Sequence, residues 1–311
     1  MAQTLNTIRN YPGMEEGMTT TALNGAVAVI RENLPVFTEK FQSSNSFGGF
    51  YEPTENVEWT TGFWTGSIWL AYEHTGDEAF KKAADIQVES FLERIEKKID
   101  VNHHDMGFLY SLSCVAAYKL TGNEHAKKAA LLAADHLAER YREKGNFLQA
   151  WGNPGEPKEY RLIIDCLLNL PILYWATEVT GDESYAQKAE HHIKTAMKCI
   201  LRPDNSTYHT HFFDVETGEP TYGVTHQGNR NGSAWARGQA WGVYGIANTS
   251  IYSAVLRTTS SNICRKISFP TGILISTREA QNRGIPPRRP SLSAESWRWQ
   301  SIWIRRRLTA I

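Results

Sequence analysis

Tyr72-Glu73-His74-Thr75-Gly76-Asp77-Glu78-Ala79-Phe80-Lys81-Lys82-Ala83-Ala84 decides the fold, because its phrase returns twice. The second copy is Tyr118-Lys119-Leu120-Thr121-Gly122-Asn123-Glu124-His125-Ala126-Lys127-Lys128-Ala129-Ala130. The third is Glu178-Val179-Thr180-Gly181-Asp182-Glu183-Ser184-Tyr185-Ala186-Gln187-Lys188-Ala189. In each copy Thr-Gly closes one helix, and Asp or Asn followed by Glu caps the start of the next. Gly76, Gly122 and Gly181 stand 46 and 59 residues apart, the spacing of stacked helical pairs. One such pair cannot bury its own apolar face, so neighbours must cover it. An all-α toroid of helical hairpins is expected, with an open solenoid as the structural alternative.

Upstream, Leu23, Val27, Val29, Ile30, Leu34 and Phe37 recur near a 3.6 period and predict a helix over 20–41. A polar loop follows, then a helix from Thr65 to His74. The stretches between repeats, Gly145–Arg161 and Pro203–Ala234, hold Gly, Pro, Trp and His and read as loops gathered on one rim, where sites tend to be built. The repeat does not return after Trp241-Gly-Val-Tyr-Gly-Ile-Ala. From about Ser250 the chain is rich in Ser, Arg and Pro.

The formal net charge of zero argues against a dedicated nucleic-acid binder, yet it averages two unlike parts. Residues 251–311 hold 11 Lys and Arg against two acids, which leaves 22 basic and 31 acidic residues in 1–250. Met1 to Gly17 has no apolar core of a secretory signal, and no run approaches the roughly 20 apolar residues of a membrane span. Cys114, Cys166, Cys199 and Cys264 are scattered, with no C-x-x-C pair, and read as reduced thiols. A cytoplasmic protein without membrane or nucleic-acid partners is expected, its oligomeric state open.

Two aspartates carry the chemical reading. Asp165 sits in Ile163-Ile164-Asp165-Cys166-Leu167-Leu168, an apolar run read as a helix interior. Desolvation there should raise its pKa and keep a proton on it near neutral pH. Asp105, in Asn102-His103-His104-Asp105-Met106-Gly107-Phe108, is expected to be better solvated and ionised. Unequal acids are the usual equipment for proton transfer on sugars. Each also has a plain structural reading: Asp105 as a helix cap, Asp165 as a buried acid bonded to a loop.

Other residues lend themselves to recognition. Trp59 and Trp151, in Gly-bearing loops, offer flat faces to a sugar ring; part of the tryptophan load must be core. Arg237, in Trp235-Ala-Arg-Gly-Gln-Ala-Trp241, suits a carboxylate clamp or a structural salt bridge. His209, His211 and His226 are loop residues; His-x-His invites a metal, but without a supporting cluster hydrogen bonding is the expected role. His191-His192 reads as a solvated helix face. No phosphate-binding Gly loop, G-x-S-x-G or Cys–His signature points to a kinase, a triad hydrolase or a thiol enzyme.

Taken together, several stretches resemble the unsaturated glucuronyl hydrolases of glycoside hydrolase family 88. They are Trp59-Thr-Thr-Gly-Phe-Trp-Thr-Gly, His103-His-Asp-Met-Gly-Phe-Leu-Tyr-Ser, Gln149-Ala-Trp-Gly, Ile163-Ile-Asp-Cys-Leu-Leu-Asn-Leu-Pro, Ser206-Thr-Tyr-His-Thr, Thr225-His-Gln-Gly-Asn and Ala236-Arg-Gly-Gln-Ala-Trp-Gly. The resemblance implies an (α/α)6 barrel, no metal and no cofactor. It implies as substrates lyase-made, glycosaminoglycan-type oligosaccharides ending in a Δ4,5-unsaturated uronic acid, released by hydration of the vinyl ether. Asp165 would then protonate C4 and help deprotonate the attacking water, with Asp105 assisting. Trp59, His104, Trp151, His209, Gln227, Arg237 and Trp241 match substrate-contact positions, and His226 joins them with the other histidines. A rhamnogalacturonyl hydrolase of the same barrel class, a sugar epimerase and an inactive truncated protein are the competing readings.

The family pattern continues with further hairpins and a segment like YWDFDF…PRDSSA. Codons can be chosen for Pro270 to Glu295 so that a shifted frame reads YWDFDFNTGSTEPRDSSAAAIAVCG. The expectation is therefore a barrel domain over 1–250, incomplete at its C-terminal side, and an aberrant, out-of-frame, disordered basic tail over 251–311.

Overall fold

The computed structural model describes residues 17–259, and these are mostly helical. In order come α1 (Met18–Phe37), the strands β1 (Phe41–Phe47) and β2 (Phe50–Thr54), α2 (Thr61–Thr75) and α3 (Glu78–Glu96). A π-helix, Gly107–Val115, runs into α4 (Ala116–Thr121), and α5 (Glu124–Glu139) follows. Next are β3 (Tyr141–Arg142), β4 (Phe147–Leu148), β5 (Arg161–Ile163), a 3-10 turn over Ile164–Leu168, α6 (Pro171–Thr180) and α7 (Glu183–Ile200). Strands β6 (Thr210–Phe213) and β7 (Pro220–Val224) precede α8 (Ala236–Thr259).

The repeated phrase makes the same joint three times. Gly76, Gly122 and Gly181 take φ of 70°, 72° and 79°, the left-handed conformation that closes a helix without a Cβ clash. Their N–H groups donate to the carbonyls of Tyr72, Tyr118 and Thr177 at 2.7, 2.9 and 2.9 Å. Asp77, Asn123 and Asp182 then cap α3, α5 and α7 by accepting from Ala79, Ala126 and Ser184 N–H at 2.8, 3.1 and 2.8 Å. Such a cap stabilises a helix by about 1 kcal/mol. The threonines stiffen the turn: Thr75 and Thr180 hydroxyls donate to Ala71 and Ala176 carbonyls and accept from Asp77 and Asp182 N–H.

The hairpins stack through their apolar faces. Helix α3 packs on α5, α5 on the π-helix and α6, and α6 on α7 and α8. Ala126, Ala129, Ala130, Ala133 and Ala134 are all fully buried, and this small-residue face lets neighbours approach α5 closely. Around it Trp69, Phe80, Phe91, Leu109, Tyr110 and Met106 form the bulk of the core.

Several local expectations need correction. The first helix ends at Phe37 rather than residue 41, and the polar loop after it is the antiparallel hairpin β1–β2. The supposed rim loops carry β4, β6 and β7, which complete the pair β3–β4 and a three-stranded antiparallel sheet, β5-β6-β7, so the described part is not purely α. Asp165 lies in the first turn of a 3-10 helix rather than in an α-helix interior. Asp105 does not cap the helix that follows, since its side chain turns to histidines instead of first-turn N–H groups. Cys114, Cys166 and Cys199 are free, buried thiols, and burial pushes Cys114 up to about 12. Helix α8 runs to Thr259, past the expected boundary after residue 250; the rest of the expected tail and Cys264 lie outside the described residues.

Candidate active site

Three loops meet where the carboxylates sit, and two buried arginines hold them. Arg94 donates to the carbonyls of Val57, Glu58, Ile99 and Asp100 and to the Asn56 side chain, tying the Trp59 approach to the segment before His103. Arg140 donates to Asn102 Oδ1, to the Gln149 carbonyl and to the Gly152 carbonyl, tying the His103–Asp105 turn to the Trp151 loop. Buried guanidinium groups with every bond aimed at fixed oxygens position loops well. Neither arginine stood out in the sequence, because their partners are mostly main-chain carbonyls.

The sheet supplies the second half. Strand β5 pairs with β6, Ile163 opposite Thr210, and Ile164 N–H donates to the His209 carbonyl at 3.0 Å. Asp165 follows at once and is thereby brought beside the π-helix entrance carrying Asp105. Asn169 fastens the two: its Oδ1 accepts from Phe108 N–H at 2.8 Å, and its Nδ2 donates to the Asp165 carbonyl at 3.3 Å. A π-helix has an irregular hydrogen-bond ladder and is frequent at functional sites.

Asp105 is 6 % exposed and Asp165 9 %, so the expectation that Asp105 is better solvated is wrong. They differ through their neighbours instead. Burial raises Asp165 well above the usual carboxylate range, and the charge of Asp105 adds to that rise; backbone N–H bonds and Arg237 oppose it more weakly. Burial also acts to raise Asp105, but His104, His103 and Asn169 outweigh it and hold its pKa low. His103 Nδ1 is 3.0 Å from Asp105 Oδ2.

His104 stands between the two acids. It is fully buried, with Nε2 3.5 Å from Asp105 Oδ1 and 3.5 Å from Asp165 Oδ1. Burial, the dominant cause, lowers its pKa to about 4, so the ring is neutral at pH 7. The donor atoms of His104, Asp105 and Asp165 lie within 4.8 Å of one another, close enough to share a cation. His209 and His211 belong to no such cluster among the described residues. His211 bonds the Phe212 carbonyl.

Around the acids runs a wall of rings. Trp59 packs on Phe108 and Trp241 at 5.5 and 6.4 Å, Trp241 on Trp235 at 5.3 Å, Trp235 on His209 at 4.6 Å, and His226 on both His209 and Trp151. Trp59, Trp151 and Trp241 are half-buried, while His226, Gln227 and Arg237 are exposed. The Arg237 guanidinium lies 4.3 Å over Trp235 and 5.1 Å over Trp241 and donates to Gln227 Oε1 at 2.8 Å. Gln227 N–H in turn donates to His209 Nδ1 at 3.2 Å. Asp105, Asp165, Trp59, His104, Trp151, His209, His226, Gln227, Arg237 and Trp241 are thus brought into this one region; His192, read as a solvated helix face, is instead fully buried in α7, where its Nδ1 accepts the Leu148 N–H at 2.9 Å. Asn169, Trp235 and Arg161, whose guanidinium lies 4.9 Å over Trp151, join them without having been assigned a role.

Two buried acids whose pKa values are pushed in opposite directions and a neutral histidine, walled by tryptophans beside an exposed guanidinium, are the equipment of a carbohydrate-active enzyme. The chain belongs to Glycosyl Hydrolase Family 88, whose model matches residues 33–256. It is 49% identical over 228 residues to the unsaturated chondroitin disaccharide hydrolase of Streptococcus pneumoniae, covering 73% of this chain and 58% of that protein. The crystal structure of the Bacillus sp. GL1 unsaturated glucuronyl hydrolase superposes with a TM-score of 0.74 at 45% identity, covering 76% of this chain and 63% of that one. An aspartate-to-asparagine mutant of the Streptococcus agalactiae unsaturated glucuronyl hydrolase, complexed with dGlcA-GalNAc6S, gives a TM-score of 0.66 at 40% identity, covering 79% of this chain and 61% of that one. The present chain spans about 58% of the length of the first of these relatives.

Proposed function

We propose that this site hydrates the vinyl ether of a Δ4,5-unsaturated uronic acid at the non-reducing end of a glycosaminoglycan-type oligosaccharide, releasing the sugar beyond it. The observation that carries the reading is the opposite perturbation of Asp165 and Asp105 across one histidine. The names of the relatives, which act on unsaturated chondroitin disaccharides or unsaturated glucuronyl groups, support the substrate class. The stacked hairpins belong, on this reading, to an (α/α)6 barrel.

Protonated Asp165 delivers its proton to C4, and positive charge develops at C5 and the ring oxygen. Water attacks C5 and passes a proton to the Asp165 carboxylate, which restores the acid. The C5 hemiketal then opens and the glycosidic bond is lost. Asp105 stays ionised and steadies the positive charge as it develops, a contribution made in the transition state rather than in binding. Arg237 and Gln227 meet the uronate carboxylate, and Trp59, Trp151 and Trp241 enclose the rings. His209 and His226 supply hydrogen bonds to hydroxyls. His104 acts between the acids.

The test is loss of the enol-ether absorbance when the full chain meets an unsaturated chondroitin disaccharide, with an unsaturated rhamnogalacturonan disaccharide as comparison. Turnover of the first, abolished in Asp165→Asn at an unchanged melting temperature, is expected. No turnover by the wild-type chain, or a near-wild-type rate in Asp165→Asn, would overturn the reading.

A further inference from the structure

Both ring nitrogens of His104, Oδ1 of Asp105 and Oδ1 of Asp165 are buried and have no hydrogen bond among the described residues. Buried polar atoms seldom go without a partner, and here three of them face one another. His104 Nε2 is 3.5 Å from Asp105 Oδ1 and 3.5 Å from Asp165 Oδ1. That is too long for a well-formed hydrogen bond. It is the separation of neighbouring ligands around a small metal ion.

Ligands placed tetrahedrally about 2.0–2.2 Å from a zinc ion stand roughly 3.3–3.6 Å apart. The two edges that meet at His104 Nε2 fall in that range. The third, between the carboxylates, is no longer than 4.8 Å, and the soft terminal torsion of an aspartate can shorten it. One imidazole with two carboxylates suits a first-row divalent ion; magnesium and calcium demand six or more oxygen ligands. His104 is neutral at pH 7, as a ligand must be. Asp105 turns its other oxygen to His103 at 3.0 Å and keeps Oδ1 for the cluster. Arg140, Arg161 and His103 also face His104, and Arg237 faces Asp165. Their guanidinium groups oppose a dication, so a bound ion is an exchangeable visitor rather than a resident cofactor.

We propose that His104 Nε2, Asp105 Oδ1 and Asp165 Oδ1 form an inhibitory site for a free divalent transition-metal ion, zinc above all. Where Asp165 carries a proton, a metal–oxygen bond replaces its O–H bond and the proton leaves to solvent. The ion then holds both acids at once: Asp165 has no proton to give, and the charge of Asp105 is already engaged. A fourth ligand, water, completes the shell on the open side. Binding stands on the geometry alone; its effect on turnover rests on the proposed function.

The experiment titrates the full chain with zinc chloride, and with cobalt(II) chloride for its visible absorption, in wild type, His104→Gln, Asp165→Asn and His125→Gln. The last removes an exposed histidine 2.9 Å from Glu89, the kind of surface pair that takes up metal adventitiously. Wild type and His125→Gln should each bind one equivalent. X-ray absorption of the zinc form should show nitrogen and oxygen neighbours at about 2.0–2.2 Å and no sulfur near 2.3 Å. Saturating zinc should lower turnover by roughly a hundredfold or more, the scale of losing a general acid, and EDTA should restore it. Magnesium chloride should neither bind nor inhibit. His104→Gln and Asp165→Asn should both bind zinc more than roughly a hundredfold weaker, beyond the cost of losing an outer partner of a ligand. Asparagine keeps the shape of residue 165, so the answer holds even if His104→Gln does not fold. No binding by the wild type, a sulfur neighbour, binding retained in Asp165→Asn or lost in His125→Gln, or undiminished turnover of the zinc form would each overturn the proposal. A chain that binds zinc in this way but never turns over an unsaturated disaccharide upholds the metal site and counts against the proposed reaction.

Discussion

Gly107 opens the π-helix and lies flat against Asn169, the residue that fastens the two aspartates together. A Cβ at position 107 would sit 2.4 Å from Asn169 Cα, 2.8 Å from its carbonyl oxygen and 2.9 Å from its carbonyl carbon. Ordinary contact begins at 3.4 Å, so Gly107→Ala must drive the two backbones apart by about 1.0 Å. All three contacts are backbone, and no side chain can swing aside. Overpacking of this kind costs about 1–3 kcal/mol. For a domain of this size that corresponds to a fall in Tm of roughly 2–12 °C. Catalysis should suffer more than stability, because Asn169 bonds both Phe108 N–H and the Asp165 carbonyl. A misplacement of about 1 Å between reacting groups is worth roughly a hundredfold in rate. The assay pairs a thermal melt with the enol-ether decay, using Gly232→Ala as control, since its added Cβ meets nothing within 4 Å. A Gly107→Ala protein that melts with the wild type and keeps its rate would refute the claim that this contact sets the distance between the acids.

The pH dependence follows from the opposite shifts. Asp165 must be protonated to act, so activity should fall as pH rises through its raised pKa; Asp105 must be ionised, so activity should also fall as pH drops through its lowered one. A rate profile with no alkaline decline would contradict the first assignment. Stability carries the same signs: the Asp105 contribution is present above its unfolded-state pKa and lost as pH falls through the folded value, whereas the Asp165 contribution is present in acid and lost as pH rises through its folded value. Melts across pH should resolve the two in the corresponding aspartate-to-asparagine variants. Arg237→Ala should raise KM more than it lowers kcat, because the carboxylate it meets is present before and after chemistry; an unchanged KM would return Arg237 to its packing role over Trp235 and Trp241.

The helical joints were legible because all their determinants lie within a few residues: Thr75, Gly76 and Asp77 bond one another or the turn just before or after them. Asp165 was legible as an acid in apolar company, and the structure keeps its raised pKa while replacing the α-helix by a 3-10 turn. The β5-β6-β7 sheet was not legible. Its strands are only 3 to 5 residues long, and β5 pairs with β6 across dozens of positions, as Ile163 does with Thr210. The low pKa of Asp105 was anticipated for the wrong reason, since solvation was assumed where His103, His104 and Asn169 act. His192 was misread because Glu190, His191, Lys194 and Lys198 surround it in sequence, while the partner that buries its polarity, Leu148, is 44 residues away.

The most direct measurement is infrared spectroscopy of the chain labelled with carbon-13 at its aspartate carboxyls, recorded at neutral pH. One unequal pair should give a protonated-carboxyl stretch, distinct from the carboxylate bands, that disappears in Asp165→Asn. Absence of that stretch in the wild type, or its survival in Asp165→Asn, would contradict the account.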